Sequence, residues 1–259
     1  MEFVPISLED FQGREKALAQ IERYVHYITP TMFYRTNDLT HSRRVLWHLE
    51  ESIPDILEVY GNDFNIEFAR TLALVHDDVE ILTGDIQLYE KENMGAEELE
   101  TLAREERNAI PRMVERYGPI ANGFSYSELL TAAKEKRRLE AQFVSFFDKF
   151  DGGGEAWHEV LAGNHCFLMP AGGHDGQERG YVRRLNDFPD KYSDMINFFE
   201  RFPEYLPKPF DFKSMAEQGE PHTKASLDED SDYPPYERWK RTIMKREGID
   251  LLINQVKFD

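Results

Sequence analysis

The tightest constraint on the chain is the stretch LALVHDDVEILTGDI, residues 72–86, where four apolar residues run directly into His76, Asp77 and Asp78, with Glu80 and Asp85 close behind. An apolar helix has to be buried, and carboxylates at the end of a buried helix are costly unless they meet water or positive charge. The fold must therefore open into solvent here or hold a cation. Adjacent side chains on an ideal helix diverge by about 100°, so His76 and Asp77 can converge on one ion only at a helix end or distortion. The break in the pattern at Thr83-Gly84 supplies such an end.

Helical periodicity dominates elsewhere. Residues 9–28 place Phe11, Leu18, Ile21, Val25 and Ile28 at three-, four- and seven-residue spacings, which predicts an amphipathic helix. Thr40 is a capping candidate for a second helix that stops before Pro54. Residues 62–79 begin with capping residues and set Ile66, Ala69, Leu72, Ala73 and His76 on one face. Further helices are expected near 96–117, 125–150 and 190–205, the last closed by the prolines of FPEYLPKPF. The best strand candidate, NHCFLMPAGG at 164–173, is short. The expected fold class is all-α, without internal repeats.

Gly152, Gly153 and Gly154 are expected to break the chain, dividing a core of residues 1–152 from a mostly helical and irregular C-terminal extension, residues 153–259. Residues 213–235 are polar, acidic and proline-bearing, and read as an extended loop. A helical tail, YERWKRTIMKREGIDLLINQV, follows; Trp239, Ile243 and Met244 should dock on the body or on a second subunit, and a homodimer is expected on that ground.

No run approaches 18 apolar residues, so no membrane span is expected. MEFVPISLED lacks the basic and apolar regions of a secretory leader, and the lone Cys166 fits a reducing compartment, so the expected location is cytoplasmic. Lys and Arg total 31 against 49 Asp and Glu, a net charge of −18, which argues against a nucleic-acid polymer as partner. A small phosphate-bearing substrate stays compatible, because a bound metal inverts the local field.

Two more residues can join the pair. His41 opens the second helix, and Asp148 follows Phe143, Val144, Phe146 and Phe147 on a largely apolar helix, where an acid needs a partner. The order His41, His76-Asp77, Asp148 resembles the HD-domain metal-dependent phosphohydrolases, whose isolated His, adjacent His-Asp pair and distant Asp converge on a divalent metal. The 5′-deoxynucleotidase branch is the most similar: HDDVEILTGD supplies Glu80, Thr83, Gly84 and Asp85, EERNA supplies Glu106 and Ala109, and EAQFVSFFDKF its closing Asp148-Lys149. The resemblance covers about residues 20–150. It departs at RTNDLTHS, where Asn37 and His41-Ser42 match, Thr40 replaces a Glu and Arg35 sits one position too close.

The resemblance implies an HD-domain helical bundle with His41, His76, Asp77 and Asp148 as metal ligands. It implies Glu80 and Asp85 as catalytic residues, and Arg35, Asn37 and Thr83 as substrate contacts, with Lys149 behind Arg35 as phosphate clamp. The implied cofactor is a divalent ion, Mn, Co, Fe, Ni, Mg or Zn. The implied reaction is hydrolysis of nucleotide phosphate esters, deoxynucleoside 5′-monophosphates first. The alternatives are a nucleoside triphosphate or another small phosphate ester at the same site, or an inactive nucleotide-sensing module. Asp78 is expected to face solvent or a partner behind the ligands. His174-Asp175 reads as an exposed loop, His26 and His48 as packing or surface residues, DEDSD as an acidic linker, and MINFFERFPEYL as core or interface.

Overall fold

The computed structural model describes residues 8, 10–24, 32–86, 91, 94–168 and 177–254. Its helices are α1 (Arg14–Leu18), α2 (Asp38–Tyr60), α3 (Ile66–Val75), α4 (Glu80–Thr83), α5 (Ala96–Tyr117), α6 (Tyr126–Glu135) and α7 (Leu139–Leu161). Beyond these lie α8 (Gln177–Asn186), α9 (Phe188–Lys191), α10 (Ile196–Arg201), α11 (Phe212–Gln218), α12 (Lys224–Asp228), α13 (Pro234–Glu247) and α14 (Asp250–Ile253). The fold is all-α; among the described residues the one sheet is a hairpin of two-residue strands, Ile120–Ala121 against Phe124–Ser125. No described helix is long and apolar enough to cross a membrane.

The helices α2 and α7 pack along one another, with α3 against both and α13 closing the far side. Side-chain caps fix where the site-bearing helices begin. The Asn37 side chain accepts the Thr40 amide at 3.0 Å to start α2, and Asn65 accepts the Phe68 amide at 3.0 Å to start α3. The aromatic run of α7 is the core: Phe143, Phe146, Phe147, Phe150 and Trp157 are all buried. The expected core segment MINFFERFPEYL packs on it, with Phe198 at 4.9 Å from Phe143 and Phe199 at 5.1 Å from Phe146 between ring centroids.

Several boundaries differ from expectation. Residues 9–28 do not form one helix. Gly13 takes a left-handed conformation before the single turn and a half of α1, and Tyr24, at φ 60°, turns the chain again; Val25, His26 and Ile28 lie outside the described residues. The helix expected over 125–150 is two, separated where Lys136 adopts φ 53°. Pro54 lies inside α2 rather than beyond its end, because Ile53 and Ile56 continue the buried face on either side of it. The 190–205 segment is a chain of short helical turns. The strand candidate begins instead as a 3-10 turn, His165–Leu168, with its remainder outside the described residues, as are His174 and Asp175. The 213–235 segment contains α11 and α12 rather than running extended throughout.

The largest departure is at Gly152–Gly154, where α7 continues unbroken to Leu161. Each glycine costs a helix about 1 kcal/mol, so something must require the missing side chains. A Cβ on Gly152 would lie 2.6 Å from the Tyr181 hydroxyl, and one on Gly154 would lie 2.1 Å from the Trp239 ring. The glycines let α8 and α13 press directly on the α7 backbone. Trp239 and Ile243 are consequently buried within this chain, and Met244 is packed against its core.

Candidate metal centre

His41 stands in the first turn of α2, and His76 caps the C-terminus of α3. Between α3 and α4 the backbone makes tight turns, with Asp78 N on Val75 O at 3.0 Å and Glu80 N on Asp77 O at 2.8 Å. This distortion brings neighbouring side chains to one point: Asp77 Oδ2 is 3.2 Å from His76 Nε2 and 3.5 Å from His41 Nε2. From α7, Asp148 Oδ1 lies 3.3 Å from the same His41 nitrogen. Four residues from three helical segments thus converge.

The two imidazoles are held in the tautomer that a metal requires. His41 Nδ1–H donates to Asp151 Oδ2 at 2.8 Å, and His76 Nδ1–H donates to Ala73 O at 2.8 Å. Each ring therefore turns its Nε2 inward, the nitrogen that a metal would take in place of a proton. Both Nε2 atoms are buried and without a hydrogen-bond partner among the described residues. Burial and Arg23 push the His41 pKa down, but the Asp148 carboxylate beside it and its bond to Asp151 prevail and raise it to about 10. Burial opposes ionisation of Asp77 and Asp148 too, yet His76 holds Asp77, and Lys149 and His41 hold Asp148, below the usual carboxylate range. The electrostatics favour positive charge at this point. Two imidazoles and two carboxylates, with these atoms turned inward, fit a hard-to-borderline divalent ion.

Beside this centre a second acidic set gathers. Oxygens of Asp38, Glu80 and Asp85 lie within 4.8 Å of one another. Burial, then Asp77, Asp85 and Asp38, raise Glu80 well above its ordinary pKa. Burial and Asp77 push Asp38 up to about 8 against the pull of Arg23, whose Nη1 is 3.8 Å away.

The centre opens into a cavity of about 230 Å³. His76, Asp77, Glu80, Asp85 and Asp148 line one part, and Arg23, Lys91, Lys134, Lys136 and Lys149 another. Lys91 and Lys134 share Glu106, and Lys149 lies 2.6 Å from Asp148. Lys136 forms no ion pair among the described residues. Burial and Lys149 lower its pKa to about 8.

The three residues expected to contact substrate are placed elsewhere. Arg35 donates to Glu22 at 2.9 Å, the Asn37 side chain is engaged as the α2 cap, and Thr83 donates to the Val79 carbonyl at 3.2 Å. None is among the described residues lining the cavity. The guanidinium at the site is that of Arg23, buried and bonded to Glu155 at 3.2 Å. Sequence reasoning missed Arg23, because an amphipathic helix over 9–28 would have left it on a surface. It also missed Asp38 and Asp151, although each stands three residues from a candidate ligand, on the same helix face as His41 and Asp148 respectively.

Asp78 does not face solvent. It is fully buried, accepts from Arg14 Nε at 2.7 Å and from the Tyr126 hydroxyl at 2.6 Å, and so clamps α1 to α6 behind the centre. His48 is buried against Phe150, a packing position as expected, with Nε2 3.5 Å from Asp151.

Residues 56–160 match the family model for the HD domain, a span that contains His76, Asp77, Glu80, Asp85 and Asp148. No curated protein matches the chain. Among solved structures, a conserved hypothetical protein from Pyrococcus furiosus shares the fold at 19% identity and a TM-score of 0.53, over 76% of this chain and 98% of that one. A predicted metal-dependent phosphohydrolase from Magnetospirillum magnetotacticum MS-1 is also 19% identical, with a TM-score of 0.48, over 76% of this chain and 93% of that one.

Proposed function

We propose that this protein is an HD-domain metal-dependent phosphohydrolase that cleaves phosphate esters of nucleotides, with deoxynucleoside 5′-monophosphates as its first substrates. The observation that carries the reading is the pair of buried Nε2 atoms on His41 and His76, each fixed by its own Nδ1–H bond, beside Asp77 and Asp148 at the floor of a lysine-walled cavity. These four residues would hold the ion. A divalent ion in such a site lowers the pKa of a bound water and polarises a phosphoryl oxygen.

The other steps belong to the chain's own side chains. Glu80, with its raised proton affinity, takes the proton from the attacking water; a carboxylate tuned upward is the more effective base near neutral pH. Asp85 lies within reach of Glu80 and serves the leaving oxygen or the sugar hydroxyl. Arg23, Lys136 and Lys149 take the anion-binding part expected of Arg35.

One observation favours a second reading, in which a nucleoside triphosphate is the substrate. Four lysines stand on the cavity wall, more than one phosphate dianion needs, and Lys136 is without an ion pair among the described residues. Incubation with mono-, di- and triphosphates in Mn²⁺ or Co²⁺ separates the two. Release of orthophosphate and nucleoside from monophosphates supports the first reading, whereas release of tripolyphosphate refutes it.

A further inference from the structure

The imidazole of His41 is oriented by Asp151, and Asp151 is itself held from the C-terminal part of the chain. Asp151 is fully buried, and its two oxygens are divided between two donors. Oδ2 accepts from His41 Nδ1 at 2.8 Å, and Oδ1 accepts from the indole N–H of Trp239 at 2.7 Å. The next polar atom near Oδ1 is His48 Nε2, at 3.5 Å. Without the indole N–H, that oxygen keeps only the longer contact to His48 Nε2, and the carboxylate's orientation is held from the His41 side alone.

Trp239 is placed for this bond from two sides. It is buried on α13, and a Cβ on Gly154 would approach three of its ring atoms to 2.1–2.3 Å, so the indole lies against bare α7 backbone one turn beyond Asp151. Its ring also carries the Arg44 guanidinium 5.4 Å from its centroid, and Arg44 is tied to Glu155 at 3.3 Å. Tryptophan offers a single donor and no acceptor, so this N–H has one possible use in a buried site, and Asp151 takes it. Trp239 stands far outside the span 56–160 that matches the HD domain.

We infer that Trp239 is a positioning residue for the metal centre, holding Asp151 so that His41 keeps the orientation and tautomer that direct Nε2 at the ion. The inference rests on the proposed metal site. Groups that orient metal-bound imidazoles typically contribute 10–100-fold to affinity, and Trp239 acts through one such group.

The test is metal affinity, measured by equilibrium dialysis of Mn²⁺ or Co²⁺, whichever the unaltered protein binds more tightly. It uses the full chain carrying Trp239→Phe, Asp151→Asn, or both. Phenylalanine fills most of the space beside Gly154 but removes the N–H, and melting of the metal-free proteins reports packing separately. Trp239→Phe should weaken binding about tenfold, and should add nothing further once Asp151 is asparagine, because both changes act through one path. Binding within twofold of the unaltered protein overturns the inference, as does a loss that multiplies in full in the double variant, which would mark Trp239 as packing alone. An unaltered chain that binds neither ion overturns the metal site itself, a distinct result.

Discussion

Replacing Asp78 with alanine should cost far more stability than replacing its neighbour Asp77. Asp78 is fully buried, and three donor atoms close on it: Arg14 Nε at 2.7 Å, Arg14 Nη2 at 2.6 Å and the Tyr126 hydroxyl at 2.6 Å. Alanine leaves Arg14 charged and buried with only the Leu74 carbonyl, among the described residues, to receive it. Breaking a buried ion pair from one side costs about 3–5 kcal/mol, most of it the stranded charge, and the orphaned tyrosine hydroxyl adds about 1 kcal/mol. A loss of about 5 kcal/mol lowers the melting temperature of a chain this size by roughly 10–20 °C. Asp77 sits instead beside other carboxylates, and in metal-free protein its removal also relieves repulsion with Asp148 and Asp38. Its cost, the lost pairing with His76 less that relief, should stay below about 2 kcal/mol. Urea titrations in EDTA, followed by tryptophan fluorescence, give both numbers. Asp78→Ala within 1 kcal/mol of the unaltered protein, or Asp77→Ala costing the more, would refute the division of roles.

Three other outcomes are expected. Gly154→Ala gains about 1 kcal/mol of helix propensity but places a Cβ 2.1 Å from the Trp239 ring, so overpacking should win by about 1–3 kcal/mol; a higher melting temperature would show that the indole moves aside freely. Glu80→Gln should retain metal and lose about 10²–10⁴ in rate, and loss of metal instead would make Glu80 a ligand. His222 stacks on His158 at 3.8 Å, and burial, then residual cations, hold both pKa values down, that of His222 to about 4. The stability this group contributes is present above its unfolded pKa near 6.5 and is lost as pH falls toward 4, about 1.4 kcal/mol of it by pH 5.5. The unfolding free energy of the unaltered protein relative to His222→Gln should therefore fall by that amount between pH 7.5 and 5.5; a constant difference would mean that His222 titrates normally.

The candidate metal centre was legible because its logic is local. An adjacent His and Asp can share an ion only where a helix ends; the sequence places that end at Thr83-Gly84, whereas the structure ends the helix earlier, at Val75 with His76 as its cap, and makes its tight turns between Val75 and Glu80. The resemblance supplied the order of the distant partners. What was illegible depends on tertiary approach. The three glycines of α7 read as a break because their usual meaning is backbone freedom, whereas here they make room for Tyr181 and Trp239, which come from far along the chain. Arg23 was hidden by a left-handed tyrosine, Tyr24, which no spacing rule anticipates. Asp151 lay in plain view three residues after Asp148, but its acceptors are filled by His41 and Trp239, 110 and 88 positions away.

The central claim is that His41, His76, Asp77 and Asp148 together hold one divalent ion. Anomalous diffraction from a crystal grown with Mn²⁺ or Co²⁺ tests it most directly. The expected result is a single peak about 2.0–2.2 Å from both Nε2 atoms, as bound imidazoles require, with oxygens of Asp77 and Asp148 completing its shell. A map with no peak among these four residues, or with the ion held by other side chains, would contradict the account.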